Sequence, residues 1–294
     1  MSSIIDALLP AVVAVLMFGL GLSLTATDFR RVLRSRRAVG IGLACQIVLL
    51  PAVCLLLVSA LNLPGELAVG MMLLAASPGG TTASLFSHLA RGDVALNISL
   101  TAVNSLLSVV TLPIVVNLAI RHFLPGRAAT VELGFTEVAQ LMTIILVPVL
   151  VGMAVRARQA GLAVRLDRPI KVLSVLFLTV VAVLTVYLER SRILDYLGAA
   201  GLAATLFCVT SLTVGYLVPR LLGVAGSQAV AVGMDVGIHN SGLAVAVALS
   251  PGMLASAEMA VPAVVYAIVT IPCAAVAVTL VTRGRQPAVA STRA

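Results

Sequence analysis

Ser77-Pro78-Gly79-Gly80-Thr81-Thr82-Ala83-Ser84 and Asp235-Val236-Gly237-Ile238-His239-Asn240-Ser241-Gly242 each interrupt a long apolar run. Glycine, proline and small polar groups in the middle of such a run give a lipid-facing helix nothing. Backbone freed at that depth is tolerated only where protein or a water-filled cavity satisfies it. Interrupted spans in corresponding positions of two halves point to the binding site of a transporter. The two stretches thus lead to an all-α polytopic membrane protein, an inverted repeat with two broken helices.

The surrounding sequence agrees. Of 294 residues, 61% are hydrophobic and 10% charged, with a mean hydropathy of +1.15. An ordinary soluble domain is roughly 25% charged, so a soluble enzyme is excluded. The net charge of +8 does not indicate nucleic acid. The 18 arginines and one lysine lie in short clusters between apolar runs, as in membrane proteins. The four cysteines, Cys45, Cys54, Cys208 and Cys273, form no C-x-x-C pair and read as small apolar packing residues.

Nine apolar stretches stand out, at about 4–24, 38–61, 66–90, 94–119, 135–155, 169–188, 197–219, 227–250 and 258–282, and each suits a transmembrane helix of roughly 20 residues. With that count, Arg30, Arg31, Arg34, Arg36 and Arg37 share a side with Arg156, Arg158, Arg165, Arg168 and Lys171. Arg91, Arg220 and the tail arginines join them, giving fifteen basic residues against four (Arg121, Arg127, Arg190 and Arg192). The excess marks the cytoplasm. The expectation is a multi-pass protein of the cell inner (plasma) membrane, N-terminus outside and C-terminus cytoplasmic. Met1–Asp6 lacks the basic start of a signal peptide, so the first stretch reads as a retained span. Residues 284–294 read as a disordered cytoplasmic tail. The first span precedes the sixth by about 165 residues, and Gly79 precedes Gly237 by 158. That offset crosses five spans, an odd number, so the two halves run in opposite directions.

Among eleven acidic residues Asp235 alone lies well inside a span. A charge there costs at least about 2.5–3.5 kcal/mol and marks function by default. No arginine or lysine lies at comparable depth, which makes a bound cation the economical partner. His239 follows at i+4, on the same face if helix continued. Asn97 and Thr101 are spaced i, i+4 on the fourth span, and Gln46 lies midway along the second. With Ser84 they supply hard oxygens, suited to sodium and not to a transition metal, for which no His/Cys cluster exists. A half-helix that begins at Gly79-Gly80 or Gly237 presents free N–H groups and a positive dipole end to an anion. Thr81 and Asn240 would face that anion.

At these residues the chain resembles the bile acid:sodium symporter family, as a bacterial member. The likeness runs through Met17-Phe18-Gly19-Leu20-Gly21-Leu22-Ser23-Leu24 with Asp28-Phe29, Gln46 with Pro51, and Pro78-Gly79-Gly80-Thr81. It continues through Leu89-Ala90-Arg91-Gly92-Asp93-Val94-Ala95-Leu96, then Val236-Gly237 and Asn240-Ser241-Gly242-Leu243. The resemblance implies a panel domain, about 4–24 and 135–188, and a core domain, about 38–119 and 197–282, with two sodium sites in the core. The first site would draw on Ser84, Asn97, Thr101 and Asp235. The second would draw on Gln46, Asp235 and the carbonyls of Val236 and Ile238. Ala83, Ser84, Asn97 and Asp235 stand where similar bacterial members have Ser, Asn, Ser and Glu. His239 stands where the family has Gln, and imidazole nitrogen is a poor sodium ligand.

The function expected is sodium-coupled symport of an organic anion, bile-acid-like or a smaller carboxylate, by alternating access. The bilayer, sodium and the anion are its partners; nucleic acid and resident cofactors are not. Proton coupling through Asp235 and His239 is the alternative. An intramembrane protease is disfavoured, because a second deep aspartate is missing and His239 stands where a rhomboid-like Gly-x-Ser-Gly needs glycine. A purely structural or receptor-like membrane protein would show no sodium, pH or substrate response. Substrate identity and oligomeric state are not legible.

Overall fold

A computed structural model describes residues 2–80, 82–127, 132–188, 193–250 and 253–283. Thr81, Arg190, Arg192 and the 284–294 tail lie outside the described residues. The described chain is helical throughout, as the composition requires. Helix α1 is Ser2–Ser23, α2 Ala26–Arg34, α3 Arg36–Ala44 and α4 Leu50–Ala60. Next come α5 Gly65–Ala76, α6 Ala83–Leu89 and α7 Val94–Phe123, then α8 Phe135–Arg158 and α9 Ala160–Leu188. The last four are α10 Ile193–Leu221, α11 Gly226–Gly237, α12 Ser241–Leu249 and α13 Ala257–Arg283. Helix occupies each apolar stretch of the sequence.

Among the described residues, five helices are long and apolar enough to cross a bilayer: Arg36–Ala60, Val94–Phe123, Phe135–Arg158, Gly198–Leu221 and Ala257–Arg283. A sixth is reached if α1 and α2 count together. Their outward faces carry large apolar side chains, such as Leu56, Leu118, Leu150, Ile268 and Leu280. Water would not tolerate so much exposed apolar surface, and lipid does.

The arginine-rich segment, read from the sequence as a loop, is helical: Arg36 and Arg37 open α3, and Arg30, Arg31 and Arg34 lie on the short helix α2. Helix α2 leaves α1 at 64°. Thr25 is extended and caps α2: its N–H donates to Asp28 Oδ2 at 2.8 Å, and its hydroxyl to the same oxygen at 2.6 Å. A Thr followed three residues later by an acid is a helix-start signature. All five arginines of this segment are exposed.

The second apolar stretch is continuous helix with one irregularity, a π-helical turn at Cys45–Leu49. Pro51, at the start of α4, has no N–H to give back to Ile47, and its ring crowds that carbonyl. The turn before it widens accordingly, and single π turns of this kind concentrate at functional sites. Gln46 lies within it and is buried.

The centre of the molecule is made of the broken helices. Leu67 through Ala76 of α5, Ala229 through Gly237 of α11 and Leu243 through Ala248 of α12 are all buried. Gly70 lets α5 lie against the Met259 backbone of α13. Separately, α1 packs on α8 and α9. A methyl group on Gly21 would strike the Val149 backbone, and one on Gly152 would strike Phe18 O and the Leu22 N–H. The two helices touch backbone to backbone at this reciprocal pair. Gly21→Val or Gly152→Val is therefore expected to cost at least the 1–3 kcal/mol typical of overpacking, read as a lower Tm in detergent. Gly40→Val, with nothing within 4 Å of its added carbon, is the control. Equal melting of Gly21→Val and Gly40→Val would remove the argument.

All four cysteines are free, three of them buried, in keeping with a packing role. Outside the apolar spans, Arg121 holds Glu132 through two hydrogen bonds of 2.9 Å, and Arg127 holds Glu66 at 2.8 Å.

Candidate functional site

Helix α5 stops because of Pro78. The residue before a proline is pushed to extended backbone, and Ser77 adopts φ −69, ψ 142. The second helix, α11, stops at Gly237, with Ile238 at φ −120, ψ 89. The freed backbone of each break is satisfied by the other. Gly80 N–H donates to Ile238 O at 2.6 Å, and Asn240 N–H donates to Pro78 O at 2.8 Å, an antiparallel bridge pairing Gly79 with His239. This answers the demand that buried backbone be paired.

Gly79 is required here for closeness and not for conformational freedom. Any Cβ on it would collide with Asp235 Oδ1 and lie 2.9 Å from the carboxylate carbon. The carboxylate of Asp235 thus lies against the first break, fully buried. Its Oδ1 accepts a hydrogen bond from Thr101 Oγ1, and its Oδ2 has no partner. Thr101 Oγ1 also lies 3.0 Å from Asn97 O, but its single hydrogen serves the carboxylate. One turn earlier, Asn97 Nδ2 donates to Ala231 O at 2.9 Å and Asn97 Oδ1 is left unpartnered. Helices α7 and α11 are thereby stitched together beside two buried oxygens, Asp235 Oδ2 and Asn97 Oδ1, that lack any donor. No ion pair reaches Asp235 among the described residues.

Gln46 and His239 form a second group. Gln46 Nε2 donates to Ser77 O at 2.9 Å and lies 3.3 Å from His239 Nδ1, which is itself 3.3 Å from Ser77 O. The imidazole stacks on Phe207 (5.2 Å, 18°) and meets the edge of Tyr266 at 5.5 Å. Tyr266 Oη donates to Gly237 O at 2.6 Å. No hydrogen bond joins His239 to Asp235.

The residues singled out from the sequence divide as follows. Asp235, Thr101 and Asn97 come together. Gln46 and His239 come together at the other side of the crossing, and the Ile238 carbonyl accepts from Gly80. The amide of Asn240 is on Pro78, so the Val236 carbonyl has no i+4 helical partner. Ser84 is half-buried on the first turn of α6, a helix that packs on α11. Asn240 Oδ1 accepts the Leu243 N–H at 3.0 Å as the cap of α12, which leaves the amide hydrogens of Asn240 for a ligand. Thr81 lies outside the described residues. Phe207 and Tyr266 were not anticipated. Tyr266 had a signal: a hydroxyl in mid-span must find a partner.

Chemically the arrangement can hold a hard cation. It offers an anionic oxygen and an amide oxygen, both buried and both unsatisfied, and each would otherwise carry a desolvation penalty. Among the described residues no group of three or more His, Cys, Asp or Glu could hold a metal ion, so soft-metal chemistry has no support.

Comparison with known sequences bears on the same region. The profile of the Sodium Bile acid symporter family matches residues 10–196, well over half of the chain. The chain belongs to the Sodium Bile acid symporter family. Within it, the chain is 28% identical to the Bacillus subtilis protein named "Uncharacterized sodium-dependent transporter YocS" over 238 residues, covering 80% of this chain and 71% of that one. It is 26% identical to an Arabidopsis thaliana chloroplast protein named "Probable sodium/metabolite cotransporter BASS1", covering 79% of this chain and 56% of that one. A shorter match, 28% over 102 residues, covers 35% of this chain and 27% of the Bos taurus "Sodium-dependent organic anion transporter". Family membership makes this a multi-pass membrane transport protein and not an enzyme, with sodium symport as the family's theme.

Proposed function

We propose that the chain carries a small organic anion inward across the cell inner membrane, driven by sodium, by alternating access. One observation carries the reading: a fully buried carboxylate, Asp235, with one oxygen unpartnered, at the crossing of two broken helices. Sodium bound between Asp235, Asn97 and Thr101, with Ser84 contributed from α6, neutralises that charge and ties α7 to α11. The anion then binds beside the start of α12, where Asn240 offers its amide. The relatives' names, a sodium-dependent transporter and sodium/metabolite and organic anion carriers, support this class of substrate.

Nine crossings, N-terminus outside and C-terminus cytoplasmic, form the framework, arranged as two inverted repeats. The five exposed arginines around α2 support this orientation. Helices α1, α8 and α9 make up the panel, and α3 to α7 with α10 to α13 the core. The close packing of α1 on α8 and α9 supports that grouping. A Cβ added to Gly242 of α12 would lie 3.4 Å from Leu16 of α1, which supports close packing of the two parts there.

The test is thermal stability of the purified protein in detergent, with sodium or choline chloride at equal ionic strength. A ligand held at about 100 times its Kd adds roughly 2.7 kcal/mol if it binds only the folded state, so Tm rises by several degrees in sodium alone. Identical melting in the two salts would rule out the proposed cation site.

A further inference from the structure

We infer that Gln46 and His239, joined through the carbonyl of Ser77, stand in place of a second cation, so that this chain binds one sodium, at Asp235, per transport cycle. The inference rests on the sodium-coupled reading above and sets its stoichiometry.

The first ground is the direction of the Gln46 amide. Ser77 O, at 2.9 Å, and Ala75 O, at 3.4 Å, are both acceptors, so the group turned toward the break is the NH2 and not the carbonyl. Its two hydrogens are accounted for by Ser77 O and Ala75 O, which leaves His239 Nδ1–H to donate to Ser77 O at 3.3 Å. A donor pointed into the break repels a cation there. The second ground is that the peptide oxygens lining this side already have donors. Ser77 O accepts from Gln46, Gly237 O from Tyr266 Oη at 2.6 Å and Ile238 O from Gly80 N–H at 2.6 Å. The third is that the imidazole is fixed. It is 4% exposed, stacked on Phe207 and abutted by Tyr266, so it has no room to swing out and admit an ion.

What remains on this side is Gln46 Oε1, the Val236 carbonyl and His239 Nε2, a nitrogen and thus a poor ligand for a hard cation. Both oxygens are neutral, so neither offsets an ion's charge as the Asp235 carboxylate does on the other side. On the other side Asp235 Oδ2 is the single buried carboxylate oxygen without a partner among the described residues, enough for one ion. The Gln46–Ser77–His239 strut supplies by direct hydrogen bonding the cross-link that an ion would give, since it joins the second apolar stretch to both breaks at once.

The experiment is equilibrium binding of radioactive sodium to the purified full chain in detergent, with choline as the replacing cation and the molar ratio read at saturation. One sodium per chain is expected, none for Asp235→Asn, and two for His239→Gln, which restores an amide oxygen. Gln46→Leu is expected to melt earlier and still bind one. Two sodium ions per wild-type chain would overturn the inference and leave the sodium-coupled function standing. No sodium bound by folded wild-type protein would overturn that function and this inference with it. A count of one in His239→Gln would show that His239 does not close the second position, and loss of the single sodium in Gln46→Leu would make Gln46 a ligand; either contradicts the strut.

Discussion

Asp235→Asn protein is expected to melt at or above the wild-type temperature in choline and to gain nothing when sodium is added. In sodium-free buffer the wild-type carboxylate is fully buried with Oδ2 unpartnered, a costly state. Asparagine keeps the shape and keeps the oxygen that accepts from Thr101. Its new amide group carries no charge, so the desolvation cost of the carboxylate is gone. The folded protein without sodium therefore loses a penalty. The sodium response is lost in exchange. Removing one member of a buried charge pair costs about 3–5 kcal/mol, which corresponds to a fall in sodium affinity of roughly 10²–10⁴-fold. Sodium-driven uptake into proteoliposomes should fall to the level of empty vesicles. A variant that still melts higher in sodium than in choline would move the cation away from Asp235.

The second large effect belongs to a residue with no polar group. Gly79→Ala places a methyl into Asp235 Oδ1 and within 3.1 Å of the Asp235 carbonyl oxygen. Neither atom sits at the far end of a flexible side chain, since the carboxylate hangs on a short stem within a buried helix. Overpacking of this kind costs about 1–3 kcal/mol and sometimes more, and here it also displaces the carboxylate. Gly79→Ala should therefore lose stability and sodium affinity together. Gly80→Ala supplies a graded comparison, with its added carbon 3.0 Å from His239 O and 3.3 Å from Ile238 O, and Gly126→Ala meets nothing within 4 Å. The expected order of damage is Gly79, Gly80, Gly126, measured by Tm and by the sodium-dependent shift. A Gly79→Ala protein with wild-type melting and a normal sodium shift would show that the carboxylate does not lie against the first break.

Much of this was legible in one dimension. An acid within an apolar run, and Pro-Gly-Gly in the middle of another, stand out without any knowledge of neighbours, because a bilayer-spanning helix has no use for them. The i, i+4 spacing of Asn97 and Thr101 already placed both on one face of α7. Asn240 as a helix cap was also in reach, since Asn before Ser-Gly-Leu is a good helix start. What the sequence hid is pairing across distance. Gly80 and Ile238 are far apart along the chain, and no local pattern says that their backbones meet. The π turn that buries Gln46 was hidden as well, and with it the direction of the Gln46 amide. Helix α2 was masked by its arginines, although Thr25 and Asp28 carried its start signal. The backbone contact of α1 with α8 was concealed for a simpler reason: Gly21 and Gly152 look like any glycines in an apolar run until the facing helix is known.

The mutual pairing of the two breaks bears on how the protein is made. When α5 and α6 leave the ribosome, the carbonyl of Pro78 and the amide of Gly80 have no partners, because residues 238 and 240 do not yet exist. Unpaired backbone in the bilayer core costs several kcal/mol per group. The first half is thus born incomplete and must wait, with its break shielded by water or by other protein, through the synthesis of roughly half the chain. Only the arrival of α11 and α12 closes it, and the same event closes theirs. Neither half can mature alone, and the commitment step of biosynthesis falls late, at the joining of two segments that each finish the other.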